Sequence, residues 1–184
     1  MLRITVPAME LWDERIQQFV GIQQEYTLEL EHSLVSISKW EAKWHKSFFA
    51  RTNKTEEEAT DYIRCMTVSP EDVPIEVYQY LSKENIKKIE DYISDPMTAT
   101  TITDDSPNRG KRNREIVTSE LVRYWMIALT IPVEYETWHI NRLLTLIQVC
   151  NIKNSPGKKR NARDIIRRNE AINEARRAKL NTNG

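Results

Sequence analysis

The chain has 184 residues, 40% of them hydrophobic and 29% charged, and its 27 basic and 27 acidic side chains cancel. That length fits one domain, or one domain with a tail, and the charged fraction implies a core wrapped in much polar surface. Four glycines are too few for glycine-rich phosphate loops or for an all-β fold rich in tight turns.

From the N-terminus, Leu2, Ile4 and Val6 alternate with Arg3 and Thr5, the period of a half-buried strand. Pro7 ends it, because proline lacks an amide donor. Trp12, Ile16 and Phe19 fall at helical spacing. Tyr26, Leu28 and Leu30 alternate with Thr27 and Glu29, and Val35 and Ile37 alternate with serines, which predicts two more short strands. Ser38 with Glu41 reads as a capping box, followed by Trp40, Trp44 and Phe48 on one helical face. Thr55 with Glu58 opens another helix through Met66, and Glu56–Glu58 and Glu71-Asp72 complement the dipoles of nearby helix starts. Helices follow near Ile75–Leu81 and Ser82–Ile93.

Asp95–Asn113 reads as a loop, with Thr98–Thr103 able to form an edge strand. Thr118 or Ser119 caps a helix through Leu129. Only Arg123 is charged between Leu121 and Leu129, so this helix is expected to be buried on most sides. A helix over about Glu134–Asn151, with Asn141, Thr145 and Gln148 as a polar stripe, is expected to pack antiparallel to it and form the core. Asn154–Lys159 breaks the chain before a last helix, about Asn161–Ala178. That helix has a thin apolar face (Ile165, Ile166, Ile172) and an arginine-rich one (Arg163, Arg167, Arg176, Arg177), too little to fold firmly alone. These seven residues are the candidate partner-binding set.

The expected fold class is α+β: a mostly helical domain over residues 1–150 with a small N-terminal antiparallel sheet, and a basic helical tail over 151–184. Charge follows that division. Residues 1–108 carry 11 Lys/Arg against 20 Asp/Glu, 109–150 carry 6 against 4, and 151–184 carry 10 against 3. Such a gradient steers partners of either sign or folds the basic tail onto the acidic part.

Catalytic chemistry has little support. His32, His45 and His139 stand at no metal-ligand spacing, and serine-nucleophile, Walker and dinucleotide motifs are missing. No cofactor is expected. Cys65 and Cys150 read as core thiols in a reducing compartment. The tail arginines suit phosphates, but no aromatic follows Trp138 to stack a base, which weighs against nucleic acid. Trp40, Trp44, Trp125 and Trp138 are expected in the core, and any exposed member becomes a docking candidate. No leader peptide and no membrane-length apolar run is visible.

Six segments resemble one family: Glu29–Glu41, Tyr62–Thr67, Pro96–Thr100, Tyr124–Ile127, Trp138–Ile147, and the close Arg176–Gly184. It is the tail assembly chaperones of tailed (siphophage-type) bacteriophages, and the resemblance spans nearly the whole chain. It implies a non-enzymatic protein of the host cell cytoplasm that binds the long helical tape measure protein while tail tube subunits polymerise around it. The alternatives are a virion structural protein (a neck, tail or head-associated component) and, third, a nucleic-acid-binding protein. A homo-oligomer remains open.

Overall fold

A computed structural model of the chain describes residues 1–15, 17–102, 116–154, 170, 173 and 174. The chain divides into Met1–Cys150 and Asn151–Gly184. The fold is α+β, with six α-helices and two small antiparallel sheets among the described residues.

The first sheet runs β1 (Leu2–Val6), β4 (Tyr26–Leu30), β5 (Thr67–Ser69), with β4 central. In register, Leu2 faces Leu30 and Ile4 faces Leu28. The alternation predicted for β1 and β4 therefore puts Ile4, Val6, Leu28 and Leu30 in the core.

The second sheet is a hairpin of β2 (Met9–Asp13) and β3 (Gln18–Ile22), where a helix is expected from Trp12, Ile16 and Phe19. That spacing straddles a turn: Trp12 pairs with Phe19 across the two strands. Gly21 is the residue the pairing depends on. Its φ is +134°, and a Cβ there would sit 2.0 Å from the Met9 carbonyl oxygen. Gly21→Ala is expected to destabilise the protein by about 1–3 kcal/mol, read as a lowered urea midpoint.

Helix α1 (Leu34–Trp44) begins four residues before the expected start at Ser38 and takes in Val35 and Ile37, which alternation assigned to a strand. Its capping box uses Ser33 and Ser36, with the Ser33 amide donating to Ser36 Oγ at 2.9 Å. Leu34, Ile37 and Trp40 are fully buried at three-residue intervals, so the helical period outweighs the apparent alternation.

Helix α2 (Glu56–Met66) starts at the expected Thr55–Glu58 box. Helices α3 (Ile75–Gln79) and α4 (Lys83–Ser94) match their predicted spans closely, α4 being capped by Ser82. Residues 98–102 form no strand, and Thr103 lies outside the described residues.

Helix α5 (Ser119–Ala128) is capped by Thr118. The helix expected from Glu134 is in two pieces: a 3-10 turn over Val133–Thr137, then α6 (Ile140–Asn154). Trp138 is extended between them. Asn141 at the start of α6 donates to the Ile93 and Asp95 carbonyls at 3.0 and 2.8 Å, which ties it to the end of α4.

The core is centred on α1 and the β1–β4 pair. Helices α2 and α5 and the 3-10 turn all pack on α1. The expectation of a core built on α5 and α6 is corrected accordingly: each contributes one buried stripe, Val122 and Met126 from α5, Ile140, Leu143 and Ile147 from α6. At about 1.5–3 kcal/mol for each large side chain buried, these stripes account for much of what holds both helices down.

Candidate functional site

The seven tail residues proposed to bind a partner (Arg163, Ile165, Ile166, Arg167, Ile172, Arg176, Arg177) all lie outside the described residues. Two other features stand out in Met1–Cys150: a sealed polar cluster and an uncovered apolar stripe.

The cluster sits where β4 meets α1 and the 3-10 turn meets α6. Ser33 and His139 form an antiparallel bridge, and the Ile140 amide donates to the His32 carbonyl at 2.7 Å. This backbone pairing brings the two imidazoles edge to face, 5.0 Å apart, and both are buried. His32 Nδ1 bonds the Tyr62 hydroxyl at 2.5 Å. His139 Nε2 lies 3.0 Å from the Tyr92 carbonyl, which only accepts, so this nitrogen carries the proton. His139 Nδ1 is buried with no partner. The Tyr92 hydroxyl donates to Glu31 Oε1 at 2.6 Å, and Glu31 also pairs with the Met1 ammonium at 2.9 Å.

Electrostatics keep both rings neutral. Burial, with repulsion from His139, pushes His32 down to about 3. Burial also lowers His139, and its bond to the Tyr92 carbonyl and the Glu31 and Asp95 charges only partly offset this. Burial raises Tyr62 and Tyr92 above the usual phenol range. Neutral rings sealed from solvent suit packing and register rather than proton exchange with a substrate. The sequence spacing of His32 and His139 carries no signal of this contact.

A second buried polar arrangement joins α1 to α5. The Glu41 carboxylate accepts the Phe48 amide at one oxygen and the Ser119 amide at the other, both at 2.7 Å. Glu41 thus serves the start of α5, not a capping box at Ser38. On α2, Asp61 takes hydrogen bonds from Lys43 (2.6 Å) and the Trp44 indole (2.9 Å). Burial works to raise Asp61, but these bonds and the Lys43 and Arg64 charges hold it below its ordinary value.

Of the four tryptophans expected in the core, Trp40 is sealed and donates to the Glu58 carbonyl at 2.8 Å. Trp44, Trp125 and Trp138 are half-buried. Trp138 is stacked on Tyr135 and covered by Arg142, whose guanidinium lies 3.9 Å from the ring centre. Trp12, on the hairpin, is exposed. Both cysteines are free and half-buried, and Cys65 packs against the core; burial and the Asp61 charge raise the Cys65 thiol, which keeps it protonated.

The uncovered stripe is on α5. The helix turns its Val122 and Met126 inward, and residues at the spacing 120, 124, 127, 128 therefore face outward. Tyr124 is 63% exposed and Ile127 76%. This corrects the expectation of a helix buried on most sides: a near-absence of charge marked an apolar outer face as well as an inner one. Val133, at the following 3-10 turn, is exposed too. Large exposed apolar side chains in a row are a mark of interaction surfaces.

Among the described residues no group of three His, Cys, Asp or Glu side chains is placed to hold a metal ion. No helix among them is long and apolar enough to cross a membrane. No family model, curated protein or solved structure matches the chain.

Proposed function

We propose that this chain is a tail assembly chaperone of a tailed bacteriophage. It binds the tape measure protein in the host cytoplasm and keeps it soluble until the tail tube forms around it, with no chemical step of its own. The observation that carries the reading is the exposed Tyr124–Ile127 stripe, which lies within one of the segments that resemble that family. A client-holding protein needs apolar surface that its own fold leaves uncovered.

Two of the segments that carry the resemblance meet in the fold. Glu29–Glu41 contains His32 and Ser33, and Trp138–Ile147 contains His139 and Ile140, the four residues of the bridged junction.

Co-expression with the tape measure protein of the same phage tests the function. The soluble fraction of that protein should rise at least several-fold with the full chain present. Mass spectrometry of purified virions should find the chain absent. An unchanged soluble fraction defeats the chaperone reading. Stoichiometric presence in virions would instead make the chain a structural component of the particle.

A further inference from the structure

We infer that the outer face of α5 is a docking site for one amphipathic helix of a partner protein, whose apolar stripe covers Tyr124 and Ile127 and whose flanking Lys or Arg side chains meet Glu120. For its biological client the inference rests on the chaperone reading above; the surface itself stands on the following observations.

Positions 120, 124, 127 and 128 follow the i, i+4, i+7, i+8 spacing of a helix-packing seam. The seam is filled by Glu120, Tyr124, Ile127 and Ala128, all exposed. This is the pattern of a helix that expects another helix, yet none of the described elements covers it.

Charge selects the occupant. No cation lies on the seam. Arg123, one step round the helix, is half-buried and bonds Glu136 at 3.1 Å and Ser38 Oγ at 3.0 Å, and its charge also acts on Glu120. The Glu120 carboxyl is held below the usual range by hydrogen bonds from its own amide and from Thr118, so the seam carries a fixed negative charge at its N-terminal end. Glu134, in the 3-10 turn that follows α5, is exposed as well. Two copies of this face packed together would bring their Glu120 carboxylates into a desolvated contact in which Arg123 is already paired with Glu136. A helix bearing Lys or Arg beside its apolar stripe supplies that charge, and an acidic one does not.

The probe is a designed amphipathic helical peptide with leucines at i, i+3, i+4 and i+7, flanked by lysines, set against the same peptide flanked by glutamates. Amide chemical shifts of the labelled full chain are followed through the titration. The lysine peptide should shift Glu120, Tyr124, Ile127 and their neighbours and bind at least tenfold more tightly than the glutamate peptide. Tyr124→Ser with Ile127→Ser should weaken it at least tenfold while leaving the thermal midpoint near wild type, since both side chains are exposed. Glu120→Lys should abolish the preference between the peptides.

Shifts confined to another surface, or equal binding of the two peptides, overturn the inference. So does a concentration-dependent dimer, seen by sedimentation, that the Ser/Ser pair dissolves, because the seam then belongs to a second copy. The same pair run in the co-expression assay separates the two readings. A client solubilised equally by wild type and variant removes this docking site but leaves the chaperone. A client solubilised by neither removes the chaperone and leaves the peptide result to decide the seam.

Discussion

Replacing Glu41 with alanine is expected to cost about 2–5 kcal/mol of folding stability, and replacing it with glutamine nearly as much. The reason is the division of labour between its two oxygens. Oε1 takes the Phe48 amide and Oε2 takes the Ser119 amide. Ser119 is wholly buried, and the Phe48 amide is part-buried. Alanine leaves both donors without a partner at about 1–3 kcal/mol each. It also removes a negative charge from the N-terminus of α5, where the helix dipole favours one.

Glutamine has the right length but only one acceptor. Its amide nitrogen would face one of the two N–H groups donor to donor. Urea unfolding of Glu41→Ala, Glu41→Gln and Glu41→Asp should therefore rank aspartate as the mildest. A glutamine variant within about 0.5 kcal/mol of wild type would mean that the two amides find other partners. Because Glu41 joins α1 to the start of α5, the Ala and Gln variants should also raise amide exchange in α5 ahead of α2.

How much of this was legible beforehand depended on whether the signal was local. The Thr55–Glu58 box was legible because both partners sit three residues apart and follow the usual S/T-x-x-E pattern. The box that starts α1 was not, because serine stands where glutamate or glutamine is usual, and Ser38–Glu41 offered a decoy five residues on. The strands β1 and β4 announced themselves by period two. The hairpin did not: Gly21, whose φ of +134° and close approach to Met9 leave no room for a side chain, carries no sign of that partner.

The site shows the same division. The apolar character of α5 was plain in the sequence, but its sense was reversed. Composition counts side chains, and only a fold says which face Val122 and Met126 leave to Tyr124 and Ile127. The histidine pair was invisible, since His32 and His139 are joined by a strand-like bridge that no spacing rule anticipates.

That pair makes the second large prediction, a loss of stability on mild acidification. In the unfolded chain a histidine takes up its proton near pH 6.5, to about half a unit. In the folded protein His32 resists protonation down to about pH 3. The unfolded state therefore binds more protons throughout that interval. The stability contributed by a neutral His32 is complete above pH 6.5 and falls away as the pH drops towards 3. At pH 5 the loss from His32 alone is about 2 kcal/mol, a large share of the roughly 5–15 kcal/mol that such a domain has.

His139 acts in the same direction, because its pKa is also lowered and a proton on Nδ1 would be buried without an acceptor. The Glu31 and Asp95 charges moderate that cost. Asp61 and Glu58, both held low by lysine partners, add their own loss only as the pH falls below the ordinary carboxylate range. The interval from pH 6.5 to 5 thus belongs to the imidazoles. Urea unfolding across it should show a steady decline in wild type, reduced by at least half in His32→Gln despite that variant's lower overall stability. A flat wild-type profile between pH 7 and 5 would mean that water or a proton acceptor reaches the two rings, and that the junction joining β4 and α1 to α6 is open rather than sealed.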